Sequence, residues 1–166
     1  QVTHMLLAAY MAVGFGVAGV HARWLLVDPR NPFHRAGLSV SLIVGIVPAL
    51  LQPVSGDWAG KTVARTQPAK FAAMEGQFRT ESWAPLRLGG WPDDDRRETR
   101  MAIEIPGGLS VPAHGDPAAV VIGLNDIPRN DWPPVHWVHV SFQVMVAIGT
   151  ALAVLALWTV WLAWRR

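Results

Sequence analysis

The chain has 166 residues, 51% of them hydrophobic and only 16% charged, where a soluble domain usually has roughly a quarter, so a bilayer is the expected solvent. The absence of cysteine excludes disulfides, thiolate metal sites and iron-sulfur clusters together. A pI near 9.7 and a net charge of +2 do not point to nucleic acid, because the basic groups are split between separate segments and form no single stripe.

Three stretches carry no Asp, Glu, Lys or Arg: 1–22, 36–56 and 132–164. Each reaches the roughly 20 residues needed to span hydrocarbon as a helix. In the first, Ala8, Ala12 and Gly16 recur at four-residue spacing. Such a stripe of small residues admits a close neighbour, and His4 shares it. The segment has no basic n-region and no small-residue cleavage site, so it is expected to be a span rather than a signal peptide, and the chain an internal piece of a larger membrane protein. Asp28-Pro29-Arg30-Asn31-Pro32 is a turn signal. The second span follows, with Pro48 expected to bend it near its exit and Trp58 suited to an interfacial aromatic belt.

The connection that follows holds most of the charge and most of the Pro-Gly punctuation. Residues 67–78 read as a short amphipathic helix, with Thr66 as its expected N-cap and Pro68 in its first turn. Residues 93–97 read as a solvated turn, and Ile103-Glu104-Ile105 and Val120-Val121-Ile122 as short extended segments. The third span runs from His136 to Trp164, with Ser141, Met145, Gly149 and Ala153 on another four-residue stripe. The expected fold is therefore an all-α membrane protein with three transmembrane helices and a long, partly structured loop between the second and third. Its divisions are a hairpin at 1–55, a loop at 56–135 and a third helix at 136–166.

Charge sets the orientation. Arg23, Arg30 and Arg35 with Asp28 flank the short connection, and Arg165 and Arg166 close the third span, giving five basic groups against one acid. The long loop holds nine basic and eleven acidic residues. By the positive-inside rule the short connection and the C-terminal end are cytoplasmic and the long loop is periplasmic.

Two groups of residues could carry chemistry. His4 lies nineteen residues before Arg23 and Met145 twenty before Arg165, so both sit roughly 30 Å from the cytoplasmic ends of their helices. An imidazole and a thioether at one level, beside small residues, suit the axial positions of a haem. The same residues also read as a hydrogen-bonding packing histidine and a core methionine; His136 or His139 could form a bis-His pair with His4, but two histidines at a membrane boundary read more simply as interfacial. His21 and His34 lie towards the cytoplasmic side, out of reach of such a haem. In the loop, Lys70 and Glu75 form an acid/base pair about 140° apart on an ideal helix. They are expected to address a third party rather than each other.

The stretches Gly56-Asp57, Lys70-Phe71-Ala72-Ala73-Met74-Glu75, Ile103-Glu104-Ile105-Pro106, Gly123-Leu124 and Phe142-Gln143-Val144-Met145-Val146-Ala147-Ile148-Gly149 resemble, in order and spacing, subunit I of cytochrome bd ubiquinol oxidase. The resemblance covers essentially the whole chain and matches the fifth to seventh helices and the quinol-binding loop, in its shorter form. It implies a bacterial inner-membrane quinol:oxygen oxidoreductase, electrogenic in the full complex. His4 and Met145 would be the axial ligands of a low-spin haem b, and Lys70 and Glu75 would belong to the quinol-oxidation site. The implied partners are the remainder of subunit I, which carries a high-spin haem b and haem d, then subunit II, quinol and the lipid bilayer, with no nucleic acid. Two departures stand out. Gln143 occupies a position where a well-known form has Arg, which removes a positive charge beside the haem and lowers its expected potential. The other helices and haem ligands of the family are absent from this chain, which alone is not expected to reduce oxygen. A quinol-docking b-type cytochrome that does not reduce oxygen and a haem-free membrane scaffold are the rival readings.

Overall fold

The computed structural model describes residues 2–165; Gln1 and Arg166 lie outside the described residues, and with them the first residue of the first predicted span and one of the terminal arginines of the charge argument. In chain order the elements are α1 (Val2–Val27), α2 (Pro32–Thr66), α3 (Pro68–Glu75), β1 (Leu86–Leu88), β2 (Trp91–Asp93), β3 (Glu98–Arg100), β4 (Ile103–Ile105), α4 (Ser110–His114) and α5 (Val135–Trp164). Two single 3₁₀ turns, Leu124–Asp126 and Arg129–Asp131, precede α5. The helices α1, α2 and α5, of 26, 35 and 30 residues, are long and apolar enough to cross a membrane. They are the three expected spans, and the protein is a mostly helical membrane protein with small sheets in its long connection.

The chain divides into two compact units, one comprising Gln1–Gly56 with Ile148–Arg166 and the other Asp57–Ala147. In the first, Met11, Ala49 and Ala156 are buried, with Phe15, Ile46 and Leu152 packed against them. Large apolar side chains such as Val13, Leu51 and Leu157 remain exposed on the spans, where burial needs lipid or further helices. The buried face of α1 is Met11, Gly14 and Ala18, whereas Ala12 and Gly16 of the expected stripe are exposed. The cause is geometric: each four-residue step advances about 40° beyond a full turn, so a stripe drifts off a straight contact face within a few steps.

Close approach of α1 to α2 depends on glycine at one point. A Cβ on Gly14 would collide with the backbone of Gly45, whereas one on Gly16 would meet nothing within 4 Å. Gly14→Ala should therefore destabilise the protein by about 1–3 kcal/mol through overpacking, with Gly16→Ala close to neutral. Thermal unfolding of the two variants in detergent checks this; equal melting temperatures would contradict it.

In the second unit, α2 continues past the apolar stretch to Thr66, helped by the Lys61–Asp57 ion pair one turn apart at 2.7 Å. Thr66 is consequently the last residue of α2, its hydroxyl donating to Thr62 O at 2.8 Å, and the N-cap of α3 is Gln67 instead. The antiparallel ladders β1–β4 and β2–β3 include Ile103–Ile105, as expected, and the 93–97 turn joins β2 to β3. In that turn Asp93 Oδ1 accepts from the backbone N–H groups of Asp95 and Arg96. Val121 makes an isolated bridge with Glu81. One core gathers Val63, Phe71, Ala84, Leu109, Ala113 and Val121; a second gathers Ala72, Ala73, Phe78, Leu124 and Val135. Both close on α3, whose placement they fix.

Candidate functional site

Pro68 opens α3 at a position where its missing N–H costs nothing, and the alanines that follow favour the helix. Gly76 stops it three residues short of the expected Phe78. At φ 62° it adopts the left-handed cap that glycine takes without strain, while Gln77 N donates to Ala72 O at 2.8 Å. Lys70 and Glu75 therefore occupy different faces of one short helix. Lys70 is exposed and borders an open pocket of about 550 Å³, together with Gln67, Pro68, Ile127, Asp131 and Val138. Glu75 is 6% exposed and does not line that pocket.

The Glu75 carboxyl is the most unusual group of the loop. Its Oε2 is buried and finds no hydrogen-bond partner among the described residues. Burial pushes its pKa up from 4.5 to about 7, against the opposing pull of the Arg87 guanidinium. A carboxyl that binds and releases a proton near neutrality is a group fitted to general acid/base work.

Sequence reasoning passed over the residues that hold this corner. The Arg87 guanidinium pairs with Glu104 at 2.9 Å and also donates to Gln77 Oε1 and, at 3.4 Å, to Gly76 O. The Thr99 hydroxyl donates to Gly76 O at 2.7 Å. His139, expected at the membrane interface, is fully buried: its Nδ1 lies 2.8 Å from Met74 O and its Nε2 3.0 Å from Gly89 O. One turn on, Gln143 Nε2 donates to Arg87 O at 3.0 Å and its Oε1 accepts from Gly89 N at 3.2 Å. The one signal present in the sequence was the four-residue spacing of His139 and Gln143 in the first turns of α5.

In the first unit, His4 sits in a closed set of hydrogen bonds. Ser55 Oγ donates to Gln52 O at 3.0 Å, so its own acceptor capacity faces His4 Nδ1, also at 3.0 Å. That places the imidazole proton on Nδ1 and the lone pair on Nε2, to which Gln52 Nε2 donates at 3.2 Å. Among the described residues Gln52 Oε1 is left buried without a partner. The anchored Nδ1 is what a metal-binding histidine needs, but the Nε2 lone pair is taken by Gln52, which would have to turn aside for His4 to serve as a haem ligand. Met145 belongs to the second unit and is 51% exposed on α5. His136 packs its ring 4.1 Å from that of Trp91 and leaves Nδ1 buried without a partner. His21 and His34 bond to each other, Nδ1 to Nδ1 at 3.0 Å.

The family model for cytochrome bd terminal oxidase subunit I matches residues 1–166. The chain belongs to this family. It is 35% identical over 167 residues to a provisionally named cytochrome bd menaquinol oxidase subunit I of Bacillus subtilis (strain 168), covering 98% of this chain and 37% of that protein. The cytochrome bd ubiquinol oxidase subunit 1 of the same organism is 28% identical over 174 residues, with the same coverage. Among solved structures, the bd oxidase from Geobacillus thermodenitrificans superposes with a TM-score of 0.83 at 42% identity, over 93% of this chain and 35% of that one. The chain thus spans little more than a third of the length of its relatives.

Proposed function

We propose that residues 56–135, between a hairpin at 1–55 and a third helix at 136–166, form the quinol-oxidation loop of a terminal oxidase that passes electrons from quinol towards the reduction of oxygen to water. The observation that carries this reading is Glu75: a buried carboxyl with an unpartnered oxygen and a pKa near 7, in a loop that also presents Lys70 beside an open pocket. Oxidation of a quinol releases two protons and two electrons. Glu75 accepts a hydroxyl proton, and Lys70 donates a hydrogen bond to a ring oxygen. Because the two residues occupy different faces of α3, the head group approaches the Glu75 end of the helix, and the flexible four-carbon stem of Lys70 brings its ammonium over from the pocket rim.

His4 and Met145 are proposed as the axial ligands of a low-spin haem b, which when bound supplies one-electron transfer. The high-spin haem b and haem d are assigned to the remainder of subunit I, with subunit II as partner, in a bacterial inner membrane. Membranes bearing the full-length protein should show haem bands reduced by a short-chain quinol and oxygen uptake dependent on it. Bands that quinol leaves unreduced would contradict the proposal.

The orientation makes the proton release outward. Reporters fused after Arg30 and after the terminal arginine should read cytoplasmic, and one placed within 93–97 should read periplasmic. The opposite pattern would put the loop on the wrong face.

A further inference from the structure

We propose that His139 is a positioning residue for quinol oxidation, fixing the Glu75 end of α3 from α5. The inference rests on the reading of Glu75 as proton acceptor. The imidazole is fully buried, and each of its ring nitrogens lies at hydrogen-bond distance from a backbone carbonyl, Met74 O at 2.8 Å and Gly89 O at 3.0 Å. A neutral ring has one N–H, so it donates to one of the two carbonyls and packs against the other, tying α5 to this corner. Met74 immediately precedes Glu75, so this contact acts on the peptide unit from which the carboxyl is suspended.

Two further observations show that the corner is built around the ring. A Cβ on Gly76 would come within 3.2 Å of the His139 imidazole, so the glycine that ends α3 also makes room for it. Gln143, one turn beyond His139, binds both Arg87 O and Gly89 N, holding in register the segment whose guanidinium charge opposes the rise in the Glu75 pKa. The face of α5 carrying His139 and Gln143 therefore holds the backbone beside the carboxyl and that of Arg87, whose charge acts on it. His139 itself meets α3 at Met74, while Val135, one turn earlier on α5, shares a core with Ala72 and Ala73. Loss of the imidazole leaves Lys70 and the residues of its pocket in place, so proton acceptance should suffer more than head-group binding, which separates turnover from affinity.

The test uses the complete oxidase, with steady-state quinol kinetics of His139→Leu, His139→Gln and Glu75→Gln compared and the low-spin haem spectrum as the check on assembly. His139→Leu should lower kcat by ~10-fold or more with KM within about twofold, the scale on which small misplacements act. His139→Gln, whose amide still reaches one carbonyl, should fall between it and the parent. A parental kcat in His139→Leu beside an impaired Glu75→Gln would overturn the positioning role and leave the Glu75 reading standing; an unimpaired Glu75→Gln would overturn both. Should His139→Leu fail to assemble, His139→Gln decides: reduced kcat at unchanged KM supports the role, and parental kcat rejects it.

Discussion

Replacement of His4 by Ala in the complete subunit should abolish the low-spin b spectrum, and Met145→Ala should abolish it or convert it to a high-spin form. The asymmetry follows from ligand strength. His4 presents an Nε2 lone pair with its other nitrogen anchored on Ser55, so its removal takes away both the donor and its orientation. Met145 would offer a thioether, a weaker donor than an imidazole, so its loss would remove the weaker of the two proposed ligands. Optical spectra of reduced membranes decide the matter, and an unchanged spectrum in both variants would reject the pair.

The second large effect is at the loop. Glu75→Gln and Lys70→Ala should each slow quinol oxidation by ~10²-fold or more, the usual scale for loss of a positioned general base or its orienting partner. Oxygen reduction fed by an artificial donor that bypasses the loop should survive. Stability separates this from a folding defect. Lys70 is exposed, so its loss should change stability by no more than about 0.5 kcal/mol. Glu75 is costly when ionised: with its pKa raised from 4.5 to about 7, the folded state holds the proton more tightly than the unfolded chain. The contribution of Glu75 to stability is therefore fully present below pH 4.5 and is lost as pH rises to about 7, by about 3 kcal/mol in all. Glu75→Gln should lose that slope. Quinol turnover near the parental rate in both variants, with the haems assembled, would sink the site.

The three spans were legible because a helix in lipid satisfies its own backbone and needs only a run without charge, which the sequence displays directly. Their ends were not. Ten residues of α2 beyond Gly56 contain Asp57 and Lys61, which a search for uncharged runs discards but which stabilise the helix as a pair. The ladder β4 was visible as Ile103-Glu104-Ile105, yet its partner Leu86–Leu88 carries too short a pattern to be read without the pairing itself. Lys70 and Glu75 stood out by chemistry, and their angular separation on α3 followed from helix geometry. That Glu75 points inward was beyond reach, because its burial is made by packing from residues distant in sequence. The same holds for His139, which looks interfacial by position and is buried only because the 74–76 and 87–89 segments fold over it.

The most direct measurement of the central claim is the pH dependence of kcat/KM for quinol in the complete oxidase and in its Glu75→Gln variant. Proton acceptance by Glu75 requires the ionised carboxylate. The parent should therefore lose activity about tenfold per unit below a limb near pH 7, and the variant should be slow with no such limb. A parental profile flat through that region, or a limb that persists in Glu75→Gln, would contradict the assignment.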